Sequence, residues 1–185
     1  MNFTQDWFSN NIPNFETCMA ALTEKKRFLE IGAFEGRATC WLLQNGLDKK
    51  AGAIICIDPY SKFDFDSTVD MQLVETRFWR NIQEAQESTQ LVSSFKDTSY
   101  KALAEMIGYK YEFDFIYVDG SHAPDVALTD ACMAWGLLKK GGIMLFDDYQ
   151  YPHKPTKGGI DAFLSAFAGQ YLTVVNNYQY GIQKI

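Results

Sequence analysis

The stretch Phe28-Leu29-Glu30-Ile31-Gly32-Ala33-Phe34-Glu35-Gly36-Arg37-Ala38-Thr39 decides the fold. Arg27 to Ile31 is a short apolar run that reads as a strand. It runs into two glycines spaced Gly32-x-x-x-Gly36, and the helix-like stretch Ala38-Thr39-Cys40-Trp41-Leu42-Leu43 follows. Strand, glycine turn and helix start together present backbone N–H groups to an anionic or polar ligand. The glycines permit the tight turn and let ligand atoms approach the backbone. The spacing is not G-x-G-x-x-G, so the dinucleotide fingerprint is not met. An acidic residue, Glu30, stands before the first glycine. The plain alternative is a tight strand-to-helix turn in some other α/β protein.

Outward from this turn, apolar runs alternate with helical patterns. Strands are predicted at 28–32, 53–58, 90–95, 113–118 and 142–147, and helices near 37–46, 70–87, 99–108, 124–139 and 158–168. The strand runs are rich in Ile, Val and Phe, and two are apolar nearly throughout, as in a parallel sheet covered on both faces. Gly141-Gly142 after Lys139-Lys140 reads as a helix end with cations near its C-terminus. Repeated strand–helix–strand units imply right-handed crossovers and a doubly wound α/β sheet. Tyr171 to Asn176 and Tyr178 to Lys184 are two β-like runs almost in contact, a hairpin signal. At least one antiparallel strand should therefore join the parallel sheet.

With 185 residues the natural count is one domain, 1–185. The 47% apolar content is ample for one core. The first 25 residues, with Trp7, Phe8, Ile12, Pro13 and Phe15, form a helical cap expected to pack on the sheet or cover the site. A net charge of -6 supplies no basic stripe for phosphates and no attraction to anionic membranes, so neither nucleic acid nor membrane is expected as a partner. Cys18, Cys40, Cys56 and Cys132 are widely spaced, without CxxC or zinc spacing, and read as buried thiols of a reducing cytosol. No signal peptide is seen at the N-terminus, and no run approaches the ~18 apolar residues of a membrane helix. A cytoplasmic enzyme is the expectation, with a homodimer as the base-rate oligomer.

In open α/β sheets ligands bind outside the carboxyl ends of the strands. The first strand delivers Glu30 and Gly32. The second ends at Asp58, followed by Pro59-Tyr60 and placed 26 positions after Gly32, a little beyond the ~20 of the nucleotide fingerprint. A carboxylate there suits both ribose hydroxyls, and a surface turn Asp before Pro is the alternative. Lys96-Asp97-Thr98-Ser99 follows the third strand, and any of its last three residues would serve as a helix N-cap. The fourth strand ends in Tyr117-Val118-Asp119-Gly120-Ser121-His122 and the fifth in Leu145-Phe146-Asp147-Asp148-Tyr149. Crowded carboxylates repel unless a proton or cation compensates. A hard divalent ion such as Mg²⁺ takes oxygen ligands of this kind. Asp119, Asp147 and Asp148 are the candidate metal ligands, and cofactor binding by Asp119 with turn capping by the other two is the alternative. His122, on a loop at the site edge, is placed to move a proton at neutral pH. His153, in the Pro-rich loop Tyr151 to Pro155, reads as a solvated loop residue.

The four motifs FLEIGAFEGRAT, CID, FIYVDGSH and GGIMLFDDY resemble the class I S-adenosylmethionine-dependent methyltransferases. The closest likeness is to the small bacterial branch called methyltransferase family 24, related to the catechol-O-methyltransferase-like enzymes. The likeness spans roughly residues 5 to 170. It implies a Rossmann-like, seven-stranded, mostly parallel sheet with a C-terminal antiparallel β-hairpin. It also implies that Glu30, Gly32, Ala33, Phe34 and Gly36 line the methionine part of the cofactor and that Asp58 holds its ribose. Tyr60, Thr98 and Ser99 would lie near the adenine. Asp119 would lie near the cofactor amino group and, with Asp147 and Asp148, coordinate metal. Ala38 departs from the hydroxyl residue that helps hold the cofactor carboxylate, a role that falls to Thr39. His122 stands where the catechol-type branch carries a catalytic Lys.

The implied reaction is methyl transfer to a small hydroxylated acceptor with divalent-metal assistance. Asp119 and Asp147 act through the metal, and His122 is the base. Three rivals stand beside this reading. They are an NAD-type oxidoreductase, a non-catalytic cofactor- or partner-binding module, and the same fold using its metal for another reaction. Trp7, Phe8, Phe63, Phe65, Phe78, Trp79 and Tyr151 are candidates for an apolar acceptor pocket, with residues 61–70 at its mouth. Most aromatics in any chain are core.

Overall fold

The computed structural model describes residues 1–61, 69–152 and 155–185. The expected pocket-mouth aromatics Phe63 and Phe65, and the loop histidine His153, lie outside the described residues. The strands are β1 (Arg27–Ile31), β2 (Ala53–Ile57), β3 (Leu91–Phe95), β4 (Phe113–Val118), β5 (Leu138–Phe146), β6 (Tyr171–Asn176) and β7 (Tyr180–Lys184). The helices are α1 (Ile12–Ala21), α2 (Arg37–Trp41), α3 (Met71–Ala85), α4 (Ser99–Gly108), α5 (Pro124–Leu137) and α6 (Thr156–Ala166). All seven strands join one sheet in the order β3-β2-β1-β4-β5-β7-β6. β1 to β5 pair in parallel. β7 runs antiparallel to both β5 and β6. This is the doubly wound α/β sheet with a terminal hairpin that the sequence predicts.

Alternation along the central strands builds two cores. Phe28, Phe115, Tyr117, Ile143 and Leu145 face one side, where Phe15 of α1 and Val74 and Phe78 of α3 cover them. Leu29, Ile31, Ile116, Val118 and Met144 face the other, against Leu103 of α4, Ala131 of α5 and Phe163 of α6. Successive Cβ atoms of a strand point to opposite faces, so a strand buried on both is apolar at every position. β4 comes close: all six of its residues are buried, and Asp114 is the one charged side chain among them. Each fully buried large side chain contributes on the order of 2 kcal/mol.

Three local readings change. Lys139 to Gly142 lies inside β5, which starts directly after α5, rather than marking a helix end. Asp114 explains the exception: its Oδ1 takes a 2.6 Å ion pair from Lys139 Nζ, beside a register shift between Phe113 and Phe115. The helix expected over 37–46 tightens and then widens. α2 is one turn long and passes into a π turn, Leu42–Gly46, whose Leu42 and Leu43 are buried. Of the four cysteines, Cys18, Cys40 and Cys56 are buried, whereas Cys132 on α5 is exposed, so only three fit the buried-thiol reading. Among the described residues no helix is long and apolar enough to cross a membrane.

The sheet order reverses between β1 and β4, because their chain continuations leave in opposite directions. A crevice opens beyond the carboxyl ends of adjacent strands at such a switch point. The ladder extends one residue past each strand there. Gly32 N donates to Ile57 O (2.8 Å), Asp119 N to Ile31 O (2.8 Å) and Asp147 N to Val118 O (3.0 Å). These bonds place the glycine turn and two acidic residues side by side.

Candidate active site

The glycine turn is held by steric necessity. Gly32 has φ +88°, and a Cβ there would lie 1.9 Å from the carbonyl oxygen of Asp119. Gly36 has φ +78° and packs so closely on Phe78 that a Cβ would come within 2.8 Å of its ring. Between them Phe34 also adopts a left-handed conformation, φ +47°. Asp58, at the end of β2, staples the turn: its Oδ2 accepts from Phe34 N and its Oδ1 from Tyr60 N, both at 2.8 Å. Burial raises the Asp58 carboxyl above its ordinary range, and the two N–H groups oppose that shift.

Glu30 is buried beneath the turn and accepts from Thr39 Oγ1. Burial, opposed by the Thr39 hydroxyl and reinforced by the Asp58 charge, pushes the Glu30 carboxyl up to about 8. Thr39 is fully buried and turned toward Glu30 and Cys56 rather than toward the cavity above the turn. Its position makes it a brace for Glu30.

That cavity measures about 50 Å³ and is lined by Glu30, Gly32, Ala33, Phe34, Tyr117 and Asp119, among others. The leader before α1 roofs it. Thr4 donates from its N (2.6 Å) and its Oγ1 (2.8 Å) to the two oxygens of Glu35. Arg37 bonds Ser9 (2.8 Å) and pairs with Asp6 (3.1 Å). The rings of Trp7 and Phe34 lie 5.1 Å apart. Residues before α1 thus lie over this cavity, while α1 itself packs on the sheet through Phe15.

On the far side of the glycine turn, Tyr60 is buried against Phe78. Thr98 is exposed at the N-cap position of α4 without a side-chain cap bond, and Ser99 opens the helix. Asp97 instead accepts from Thr98 N at 2.7 Å.

The three aspartates converge as expected, but they have different partners. Asp147 is enclosed by donors. Its Oδ1 accepts from Gln179 Nε2 (2.9 Å) and Asn11 Nδ2 (3.4 Å), and its Oδ2 accepts from the Tyr117 hydroxyl (2.9 Å). Tyr117 also lies 3.1 Å from Oδ2 of Asp119. A phenol carries one hydrogen, so it serves one carboxylate at a time. Asp148 turns the other way, with φ +53°. Its Oδ2 lies 2.8 Å from Nε2 of His122, and its Oδ1 accepts from the hydroxyl of Tyr178. One ligand atom each from Asp119, His122 and Asp148 lie within 4.8 Å of one another. Burial, then the charges of Asp147 and Asp148, drive the Asp119 carboxyl far above its ordinary range. Burial and the Asp148 charge raise Asp147 as well. The group holds excess negative charge that a proton or a cation would relieve.

Sequence reasoning missed Tyr117, Asn11, Tyr178 and Gln179. Tyr117 reads as one more apolar residue of β4. The other three come from the start of α1 and the β6–β7 turn, whose approach to β5 is a tertiary fact without a local signal.

A family model described as "Methyltransferase domain" matches residues 29–149. The chain belongs to this methyltransferase family. The chain is similar to O-methyltransferase hkm8 of Aspergillus hancockii, 28% identical over 132 residues that cover 71% of this chain and 46% of that protein. It is also 26% identical over 124 residues to the uncharacterized protein R132 of Acanthamoeba polyphaga mimivirus, covering 66% of this chain and 51% of the other. The chain thus spans about half the length of the curated relatives it matches.

Among solved structures, the O-methyltransferase from Bacillus cereus in complex with SAH superposes with a TM-score of 0.68 at 19% identity, covering 98% of this chain and 84% of that one. TomG from Streptomyces achromogenes, an O-methyltransferase of tomaymycin synthesis in complex with SAM, gives 0.65 at 18%, covering 96% and 81%. An rRNA methylase from Streptococcus thermophilus gives 0.62 at 11%, covering 98% and 99%. At these identities the likeness is one of fold: the chain has the class I methyltransferase architecture.

Proposed function

We propose that this methyltransferase transfers the methyl group of S-adenosylmethionine to a hydroxyl oxygen of a small acceptor, with help from a divalent cation. The observation that carries the reading is the glycine turn stapled by Asp58 and backed by Glu30, set against Asp119 at the switch point of a methyltransferase fold. Glu30 would meet the cofactor ammonium, and the Gly32–Phe34 backbone would follow its methionine chain. Asp58 keeps lone pairs for ribose hydroxyls, and Tyr60, Thr98 and Ser99 stand toward the adenine. Thr39 acts through Glu30. The sulfonium methyl is already activated, so the protein's work is alignment and electrostatics.

The donor set fits a divalent cation, being acidic, partly buried and short of counter-charge. Asp119, Asp147 and Asp148 would hold it directly or through one another, and the cation would lower the pKa of an acceptor hydroxyl. His122, beside Asp148, would take part in proton removal as the base. The fold is shared with an rRNA methylase, so the acceptor class rests on charge. A chain of -6 offers nucleic acid no basic track.

The test supplies methyl-labelled S-adenosylmethionine with a panel of catechols and other small hydroxylated molecules, and with RNA in parallel. Label on a small molecule supports the reading. Label on RNA alone, or no S-adenosylhomocysteine formed with any acceptor, contradicts it.

A further inference from the structure

Asp119 and His122 come from the loop after β4, and Asp148 from the residue pair after β5. Their ligand atoms gather within 4.8 Å. Metal–ligand bonds of ~2.0–2.2 Å separate adjacent ligand atoms by about 3–4 Å, so the closing movement needed is small. A cavity of about 10 Å³, the size of one water-sized particle, is lined by Asp119, His122, Asp147 and Asp148 among its walls. Asp147 presents no oxygen lacking a protein donor. Gln179 and Asn11 hold one of its oxygens and Tyr117 holds the other. Those donors come from three separate elements, so freeing Asp147 would break contacts to the leader, to β4 and to the terminal hairpin at once. Tyr117 lies between Asp119 and Asp147 and its one hydrogen serves either carboxylate in turn, so Asp147 bears on Asp119 through it.

We infer that Asp119, His122 and Asp148 form a three-ligand cation site in which the imidazole is a ligand, Asp147 is a positioning residue, and transition ions such as Mn²⁺, Co²⁺ or Zn²⁺ are preferred to Mg²⁺. The inference rests on the cation in the proposed function and reassigns His122 from base to ligand. The ion preference follows from chemistry: imidazole suits first-row transition ions, whereas Mg²⁺ is satisfied by oxygen alone. An all-carboxylate site shows a smaller bias of the same sign, so nitrogen coupling to the bound ion is the deciding readout.

The test reads ion binding directly. Mn²⁺, Zn²⁺ and Mg²⁺ are titrated into the full chain, His122→Asn and Asp147→Asn, all in a Cys132→Ser background that removes the exposed thiol. Thermal melting confirms that each variant is folded. Pulsed electron paramagnetic resonance of bound Mn²⁺ then looks for coupling to an imidazole nitrogen. The expected result is binding of Mn²⁺ and Zn²⁺ at least about tenfold tighter than Mg²⁺, with nitrogen coupling present. His122→Asn should remove the coupling and most of the preference, while Asp147→Asn keeps the coupling. Absence of nitrogen coupling in the parent protein overturns the inference. So does loss of binding in Asp147→Asn with binding intact in His122→Asn, and so does failure to bind any ion. S-adenosylhomocysteine titrated into the same samples separates the two claims. Its binding without ion binding overturns only this inference, whereas nitrogen coupling without S-adenosylhomocysteine binding overturns only the proposed function.

Discussion

The side-chain amide of Gln179 donates to Oδ1 of Asp147 across 2.9 Å, tying the turn between β6 and β7 to the end of β5. Gln179 is fully buried, and Asp147 is 8% exposed. A buried carboxylate deprived of a donor bears the cost of its own desolvation. The terminal hairpin therefore serves the site as well as closing the sheet.

Gln179→Leu should lose about 1–3 kcal/mol of stability, the cost of an orphaned buried acceptor. It should lower kcat while leaving affinity for S-adenosylhomocysteine nearly unchanged, because Asp147 follows β5, which β4 separates from the glycine turn after β1. Denaturant unfolding and steady-state kinetics check the two halves separately.

Gly32→Ala and Gly141→Ala make a matched pair. Both positions have positive φ, +88° and +77°, but a Cβ at Gly141 would meet open space while one at Gly32 would strike Asp119 O. Gly141→Ala should cost about 1–3 kcal/mol from backbone strain alone and retain cofactor binding. Gly32→Ala should cost more and abolish that binding, since Asp119 must move. Urea unfolding with calorimetric titration of S-adenosylhomocysteine tests the contrast.

Glu30 sets a pH dependence. In the empty site burial pushes its carboxyl up to about 8, so it holds a proton at neutral pH. Meeting an ammonium requires the ionised form. Affinity for S-adenosylhomocysteine should rise with pH, by at most about tenfold per unit, and level off above about 8. Glu30→Gln should flatten that slope. Titrations across the pH range decide it.

Asp130 on α5 is 1% exposed, and its Oδ1 has no hydrogen-bond partner among the described residues. Burial, opposed by a hydrogen bond from Ser99, pushes it up from 3.8 to about 6. A folded carboxyl that keeps its proton longer than the unfolded one supports stability at low pH. That support is lost as pH rises through about 6. Asp130→Asn should therefore raise Tm at pH 7, by roughly 1–3 kcal/mol of stability, and give no gain near pH 4. Melting curves at the two pH values check it.

The fold was legible because β2 and β4 are apolar nearly throughout and the second half of β5, Ile143 to Phe146, is apolar and buried. Asp58, Asp119, Asp147 and Asp148 were legible for a related reason: a carboxylate at the end of an apolar strand has few structural explanations. The start of β5 was not legible. Lys139 is carried into the sheet by its pair with Asp114, a partner 25 residues away. Thr39 is next to the position where a hydroxyl was wanted, but one residue along α2 turns a side chain by about 100°, toward Glu30. Asn11, Tyr178 and Gln179 are polar residues in turns, and their local sequence says nothing of the carboxylates they meet.

Every role assigned above depends on the glycine turn being an S-adenosylmethionine site. The most direct test is isothermal titration of S-adenosylhomocysteine into the protein, with NAD in parallel and Asp58→Ala as the control. Micromolar binding of S-adenosylhomocysteine, lost in Asp58→Ala and absent for NAD, is the predicted result. Binding of NAD, or no heat from S-adenosylhomocysteine at saturating concentration, would contradict it.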